Sequence, residues 1–307
     1  MNLFAVEAFC LVVKLGSISK AAKELHISQP ALSLQIQELE NLLDAKLLER
    51  SNRGVTPTET GLLVIEYGNK LLTLSDNLKR EVHAISNTQT ELTVASSSTI
   101  GQFSLPCTLY IFHERFPESK ITTKISNTQE AIDQLLNNSV DLAILEGPLG
   151  NDDKQNLKSE GIVLQKIARD DLVVITPYSG DWLEIEELTM SDFMNLPWIF
   201  REKGSGIRST IETKLIQEGY NPKLLNINME LEQTSAIISS VAADRGLSML
   251  PRLAVKKELH YKTLKAIRIK EFLFYHTISL AYNPKRVKSS LATAFLQLLQ
   301  SKDRGFC

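Results

Sequence analysis

Two groups of side chains in this chain have types and spacings that could do chemistry. Gln29, Pro30, Ser33 and Leu34 fall together in ISQPALSLQIQELE, residues 27–40. An amide, a hydroxyl and apolar groups on one helix face, none of them charged, suit the reading of a polar surface by hydrogen bonds. The second group lies in three junctions rich in hydroxyls and amides. Ser97, Ser98 and Thr99 follow LTVAS, Asn127 and Thr128 follow KITTKIS, and Ser205 precedes a helical run in REKGSGIRS, where Arg201 and Arg208 also lie. Helix starts that converge with hydroxyls favour a small anion or carboxylate, for which either arginine supplies a countercharge. Taken singly, each serine or threonine also fits a plain helix cap.

Other chemistries find less support. The histidines (His26, His83, His113, His260, His276) show no HxH or HExxH spacing, so no metal site is expected. Cys10, Cys107 and Cys307 are odd in number and lack a CxxC pair, which points to a reducing compartment without a disulfide framework. Cys107, just after Pro106 in a helical run, is expected to pack in the interior; a redox response through it is the alternative reading. No GxSxG, P-loop or strand-borne GxGxxG is present, and GSG at 204–206 is too short to stand for one, so an enzyme is not expected. A net charge of −2 and a pI near 6.3 give no bulk footprint for nucleic acid or membrane. Any basic patch must be local.

The surrounding elements must position these groups. With 307 residues, 43% of them hydrophobic, the chain can fill more than one core. MNLFAVEAFCLVV reads as an amphipathic helix through Val6, Phe9 and Val13. It lacks a basic leader region, and no apolar run approaches the roughly 20 residues that span a bilayer, so a cytoplasmic protein without a membrane partner is expected. Ser17 or Ser19 caps a second helix with Ala21, Ala22 and Leu25 inward, and His26 and Ile27 form a short turn. A third helix begins near Gln29, capped by Ser28 with Pro30 in its first turn, and buries Leu32, Ile36, Leu39 and Leu43. This is helix-turn-helix spacing.

LDAKLLERSNRGVTPTETG then gives two short strands about a polar turn, a wing, before a long helix over residues 58–88. Leu62, Ile65, Leu71, Leu74, Leu78, Val82 and Ile85 recur along it, and so long a stripe needs a partner, most simply a second copy. From Glu91 onward, strands alternate with helical runs such as 102–115, 128–138 and 206–218, which predicts an α/β domain with largely parallel sheets and room for two lobes.

Residues 16–61 carry a GS, then AA, a leucine, S-Q-P, a serine, an isoleucine, L-E, L-x-x-R and T-x-x-G in order. This run resembles the winged helix-turn-helix of LysR-type transcriptional regulators, and FREKGSGIR resembles a glycine–arginine segment of that family's effector domains. The resemblance implies a winged helix-turn-helix domain over 1–60, a dimerising linker helix over 58–88, and an effector-binding domain over 90–307 built like periplasmic solute-binding proteins. Its lobe I would be about 90–167 and 269–307, and lobe II about 168–268. It implies a homodimer assembling into a tetramer on dyad-symmetric double-stranded DNA at promoters, contact with RNA polymerase, and a small, anionic effector in place of a cofactor. The rear domain alone would suggest a solute-binding protein; the DNA-binding head argues against that.

On this reading the third helix enters the major groove, where Gln29 suits adenine, Ser33 serves either hydrogen-bonding role, and Pro30 and Leu34 offer apolar contact to a thymine methyl. Many family members carry arginine where this chain has Leu34. Phosphates would fall to Arg50 and Arg53 at the wing, to Lys20 and Lys23, and to the hydroxyls of Thr56 or Thr58. Six basic and six acidic side chains cancel over residues 1–57, so one head should bind weakly, and joined heads should supply the affinity.

Overall fold

The computed structural model describes residues 2–51, 54–85, 91–287 and 289–306. Two compact units divide between Val82 and His83.

In the first unit, Asn2 accepts the Phe4 N–H and opens α1 (Leu3–Leu15), which ends at left-handed Gly16. Ser17, not Ser19, caps α2 (Ile18–Glu24) by accepting the Lys20 N–H. A turn through His26, at φ +54°, leads to α3 (Gln29–Leu43), capped by Ser28 with Pro30 in its first turn. The side chains of Ala21 and Ala22 are small enough to bring α2 against Phe9 and Leu32 in one shared core. The inward stripe of α3 ends at Leu39: Leu43, expected inside, is 39% exposed, and Glu40 takes the buried place on the last turn.

β1 (Leu48–Ser51) and β2 (Gly54–Pro57) pair antiparallel as the wing. α4 (Glu59–Ile85) follows, and Thr58 before it accepts the Gly61 N–H. A Cβ on Gly61 would lie 2.2 Å from the Leu47 carbonyl oxygen, so the T-x-x-G spacing fixes a close approach of helix to wing. Val64 and Ile65 pack on the head, whereas Leu62, Leu63, Tyr67, Leu74, Leu78 and Val82 are exposed. The expected end of this helix, Ser86 to Gln89, lies outside the described residues.

The second unit begins with β3 (Glu91–Ser97) and α5 (Ser98–Phe103). α6 (Leu105–Arg115) follows a break at Ser104, so the run expected as one helix is two. Pro106 has no N–H to donate four residues back and its ring clashes with that carbonyl, so it fits the first turn of α6 but not the interior of one continuous helix. β4 (Lys120–Ser126), α7 (Thr128–Leu136), β5 (Leu142–Glu146) and α8 (Asn151–Ser159) complete the first part of lobe I. β6 (Val163–Pro177) then runs out of this lobe into the other.

Lobe II holds β7 (Glu187–Leu188), α9 (Met190–Asn195), β8 (Trp198–Arg201), α10 (Gly206–Gln217) and β9 (Ile227–Leu231). α11 (Thr234–Ala242), β10 (Ser248–Pro251), α12 (Lys256–His260) and β11 (Leu264–Ile269) complete it. β12 (Tyr275–Tyr282) returns the chain to lobe I, which α13 (Ser290–Gln300) closes.

The main sheet runs β4-β3-β5-β12-β6-β11-β7, with β10 also on β6, and β8 pairs with β9. It is mixed rather than largely parallel. β3–β4, β3–β5 and β8–β9 are parallel, but β12 is antiparallel to β5 and β6, and β10 and β11 are antiparallel to β6. A chain that leaves lobe I on β6 and returns on β12 must run those neighbours in opposite directions. Lobe I buries Phe112, Ile144, Leu280 and Phe295 on one face of its sheet and Ile132, Leu145 and Leu157 on the other. Lobe II centres on Phe193, Trp198, Ile237 and Val241. Cys107, on α6, is disulfide-bonded, against the expectations that it would only pack and that the chain would hold no disulfide; Cys307 lies outside the described residues.

Candidate functional site

On α3, Gln29, Pro30 and Leu34 are exposed, and Ser33 is half-buried beside them. Leu34 is 54% exposed, although nothing in the apolar stripe requires it to be outside. The Ser19 hydroxyl donates to Gln29 Oε1 at 3.1 Å, so the Gln29 amide turns its NH₂ outward as a donor. The short turn between α2 and α3 makes that bond possible. Lys20 and Lys23 stand exposed on α2. Thr56 is exposed, but the Thr58 hydroxyl donates to the Lys46 carbonyl at 2.7 Å and is taken up by the wing. The Arg50 side chain and all of Arg53 lie outside the described residues.

Glu40 holds α3 against the wing, a role the sequence reading gave to no residue. Its carboxylate accepts the Leu47 N–H at 2.8 Å, the Leu48 N–H at 3.4 Å and the Lys46 ammonium at 2.9 Å. Burial pushes this carboxyl up, but the Lys46 ammonium and the two backbone N–H groups outweigh it and hold Glu40 below the ordinary glutamate value. The L-E pair was legible as a motif, but its partners lie across a turn.

In the second unit, the three hydroxyl-rich junctions come together where the lobes touch, and Arg201 bridges them. Arg201, at the end of β8, is 3% exposed. Its Nη2 donates to Ser98 Oγ of lobe I at 2.7 Å, and its Nη1 donates to Thr234 Oγ1 of lobe II at 3.0 Å. Glu202 takes Nε at 2.8 Å and Nη2 at 3.0 Å. Of the five guanidinium N–H groups, one on Nη1 is left without a partner among the described residues. Thr99 Oγ1 and Thr234 Oγ1 lie 3.1 Å apart across the same seam. Ser97 is buried and its hydroxyl has no hydrogen-bond partner among the described residues.

Asn127 caps α7 by accepting the Glu130 N–H at 2.9 Å, and the Thr128 hydroxyl donates to the Glu146 carbonyl at 3.1 Å. Ser205 is buried at the start of α10 without a side-chain cap bond. Beside it, Gly206 seats the helix against lobe I: a Cβ there would lie 1.9 Å from the Glu146 carbonyl oxygen. Arg208 meets Arg201 at its backbone, where Arg208 Nη1 donates to the Arg201 carbonyl at 3.1 Å. Its Nε binds Glu212 at 2.7 Å and its Nη1 binds Glu230 at 2.8 Å. Burial lowers its pKa, but the two carboxylates outweigh that, so its charge is already matched. Thr234 was missed, although it stands at a strand-to-helix junction like the others and the same rule would have found it.

Beneath the seam, His276 Nε2 and Glu146 Oε1 stand 3.6 Å apart, 1% and 2% exposed. Neither those two atoms nor His276 Nδ1 has a hydrogen-bond partner among the described residues. A lone histidine at a strand start gave no signal in the sequence.

Comparison with known proteins adds the family. Residues 3–62 match the model described as "Bacterial regulatory helix-turn-helix protein, lysR family", and residues 86–304 match "LysR substrate binding domain". A probable RuBisCO transcriptional regulator of Gracilaria tenuistipitata var. liui is 32% identical over 285 residues, covering 92% of this chain and 91% of that one. The full-length CbnR structure, complexed with its target DNA, superposes with a TM-score of 0.70 at 22% identity, covering 97% of this chain and 98% of that one. The regulatory domain of Synechocystis PCC6803 CcmR, in complex with 2-PG, superposes with a TM-score of 0.59 at 22% identity over 68% of this chain and 95% of that one.

Proposed function

This chain belongs to the LysR family of transcriptional regulators rather than to an enzyme family, and from that premise we propose that α3 reads promoter DNA while the cleft at Arg201 takes a small anionic effector. The bridge from Arg201 to Ser98 across the lobes carries the effector reading. A carboxylate or phosphate inserted there would replace two neutral hydroxyls with charge-assisted bonds and would use the remaining Nη1–H. Ser97, Ser98, Thr99, Thr128 and Ser205 stand around it. Asn127 lies at the rim, where the Gly204 backbone approaches its amide. The 2-PG of the CcmR regulatory domain is of the same chemical class. Such a ligand favours one lobe angle over another, and the shift reaches DNA through the way the copies are held.

On the DNA side, the free NH₂ of Gln29 donates to a base acceptor such as adenine N7 or thymine O4, and Leu34 and Pro30 meet a thymine methyl. Ser33 adds a hydroxyl, while Lys20, Arg50 and Arg53 take phosphates. The test is selection of binding sites from random duplex DNA. Wild type should enrich a dyad rich in A·T pairs. Leu34→Arg should bind about tenfold more tightly and bring guanine into each half-site. If both proteins select the same sequences with the same affinity, Leu34 does not face the groove.

Residues 1–60 then bind DNA, 58–88 join two copies, and 90–307 receive the effector. The exposed side chains Tyr67, Leu74, Leu78 and Val82 follow near-heptad steps along α4, and a second copy covers them, building a homodimer and from it a tetramer that acts in the cytoplasm with RNA polymerase. Leu74→Glu with Leu78→Glu is expected to leave a folded monomer by light scattering. A dimer of unchanged mass would place the contact elsewhere.

A further inference from the structure

We propose that Glu202 is an internal competitor for the effector: its carboxylate occupies Arg201 until an outside anion arrives, and effector binding is an exchange of one anion for another. This rests on the reading of Arg201 as the effector site and adds how that site is regulated. A guanidinium offers a carboxylate or phosphate two edges with paired N–H groups, Nε with one Nη and the two Nη together. On Arg201, Glu202 fills the first edge, with Oε2 accepting from Nε at 2.8 Å and Oε1 from Nη2 at 3.0 Å. Neutral hydroxyls hold the second, Ser98 Oγ on Nη2 at 2.7 Å and Thr234 Oγ1 on Nη1 at 3.0 Å. The chain thus keeps an anion of its own on the cation that bridges the lobes.

Charge balance makes the two anions exclusive. Arg201 is 3% exposed, and a buried guanidinium stripped of its partner is strongly destabilising, so without a ligand Glu202 stays. A second anion on the Nη edge would put two like charges around one cation inside the protein, where water screens them little. One anion must leave, and Glu202 is the one free to go. Arg201 is fixed at the end of β8, every residue of which is buried. The Glu202 side chain is 17% exposed and opens a turn whose Lys203 and Gly204 are exposed. The Glu202 carbonyl accepts the Ser205 N–H at 3.3 Å, and Gly206 seats α10 on lobe I, so release of Glu202 acts at the root of that helix. Exchange also selects the ligand. A neutral polyol brings nothing to replace the departing charge, whereas a carboxylate or phosphate restores the buried balance.

The experiment follows the thermal transition and the calorimetric phosphate affinity of the full chain at constant ionic strength, with inorganic phosphate set against chloride. It compares wild type, Glu202→Gln, Glu202→Asp and Ser98→Ala. In chloride, Glu202→Gln should melt at least about 3 °C below wild type, and phosphate should restore most of that loss. Its phosphate Kd should be at least about tenfold lower than the wild-type value or its lower bound. Glu202→Asp keeps the charge but is one methylene short of the two-oxygen dock; it should gain about threefold, and it carries the test if Glu202→Gln does not fold. Equal phosphate affinity in wild type and the Glu202 variants overturns the exchange. So does a lowered transition that phosphate does not restore, which would make Glu202 only a structural partner of Arg201. No phosphate binding to Glu202→Gln below about 50 mM overturns it as well. Equal affinities that Ser98→Ala weakens would still support Arg201 and Ser98 as the effector site, so the two readings fail separately.

Discussion

Alanine at Gly206 is expected to cost the second unit about 3 kcal/mol and to abolish any response to effector. The added Cβ would sit 1.9 Å from the Glu146 oxygen, 2.5 Å from its carbonyl carbon and 2.7 Å from Thr128 Oγ1. Two of those atoms are backbone at the end of β5, which is held between β3 and β12, and cannot swing aside, so α10 must back away from lobe I. Forced overpacking typically costs 1–3 kcal/mol, and here retreat also weakens the hold of Arg201 on Ser98. Thermal unfolding followed at Trp182 and Trp198 reads the stability, and effector-dependent change in DNA affinity reads the response. A Gly206→Ala protein that melts and responds like wild type would show that the close seat of α10 has no part in either.

Glu40→Ala should destabilise the first unit by about 3 kcal/mol. Buried hydrogen-bond donors left without an acceptor cost about 1–3 kcal/mol each, and this substitution strands the Leu47 and Leu48 N–H groups beside two buried leucine side chains. Glu40→Gln retains an acceptor for Leu47 and should lose less than half as much. The charge adds a pH signature. Folded Glu40 ionises below the unfolded value of about 4.3, so its contribution is complete above that value and disappears as pH falls through the lower folded value. Chemical denaturation at pH 7 and pH 3 should therefore show a wider gap between wild type and Glu40→Gln at the higher pH. Equal gaps at both would show that the charge of Glu40 contributes nothing.

The head was legible because its elements are local. Ser28, Pro30, Leu32, Ile36 and Leu39 lie within one helix, and the T-x-x-G step lies within one helix start. Glu40 was not legible, since its acceptor role depends on where β1 returns. The same division runs through the second unit. Ser98, Thr128 and Ser205 stand at strand-to-helix junctions that sequence shows directly, but Ser98 and Arg201 are 103 residues apart, and only the pairing of β6 with β12 brings them together. Arg208 shows the converse. It sits seven residues from Arg201 and donates to that residue's carbonyl, but its charge is taken by Glu212 and Glu230 rather than offered beside Ser98. Among cationic side chains, neighbourhood in sequence was a poorer guide than direction.

The place of β12 between β5 and β6 bears on how the protein is made. When a ribosome has finished lobe I's first strands, that sheet still lacks its central member, and Leu280, Phe295 and Leu299 of its core are not yet synthesised. Lobe II is the stretch produced in the interval, and it can close its own core around Trp198 while the earlier half waits with apolar strand edges open. Contacts that span most of the chain also close slowly. A nonsense codon between Glu146 and Tyr275 should therefore do more than shorten the protein: it should release a half-sheet prone to aggregate, and chaperone demand during translation should be set by the first lobe begun rather than the last one finished.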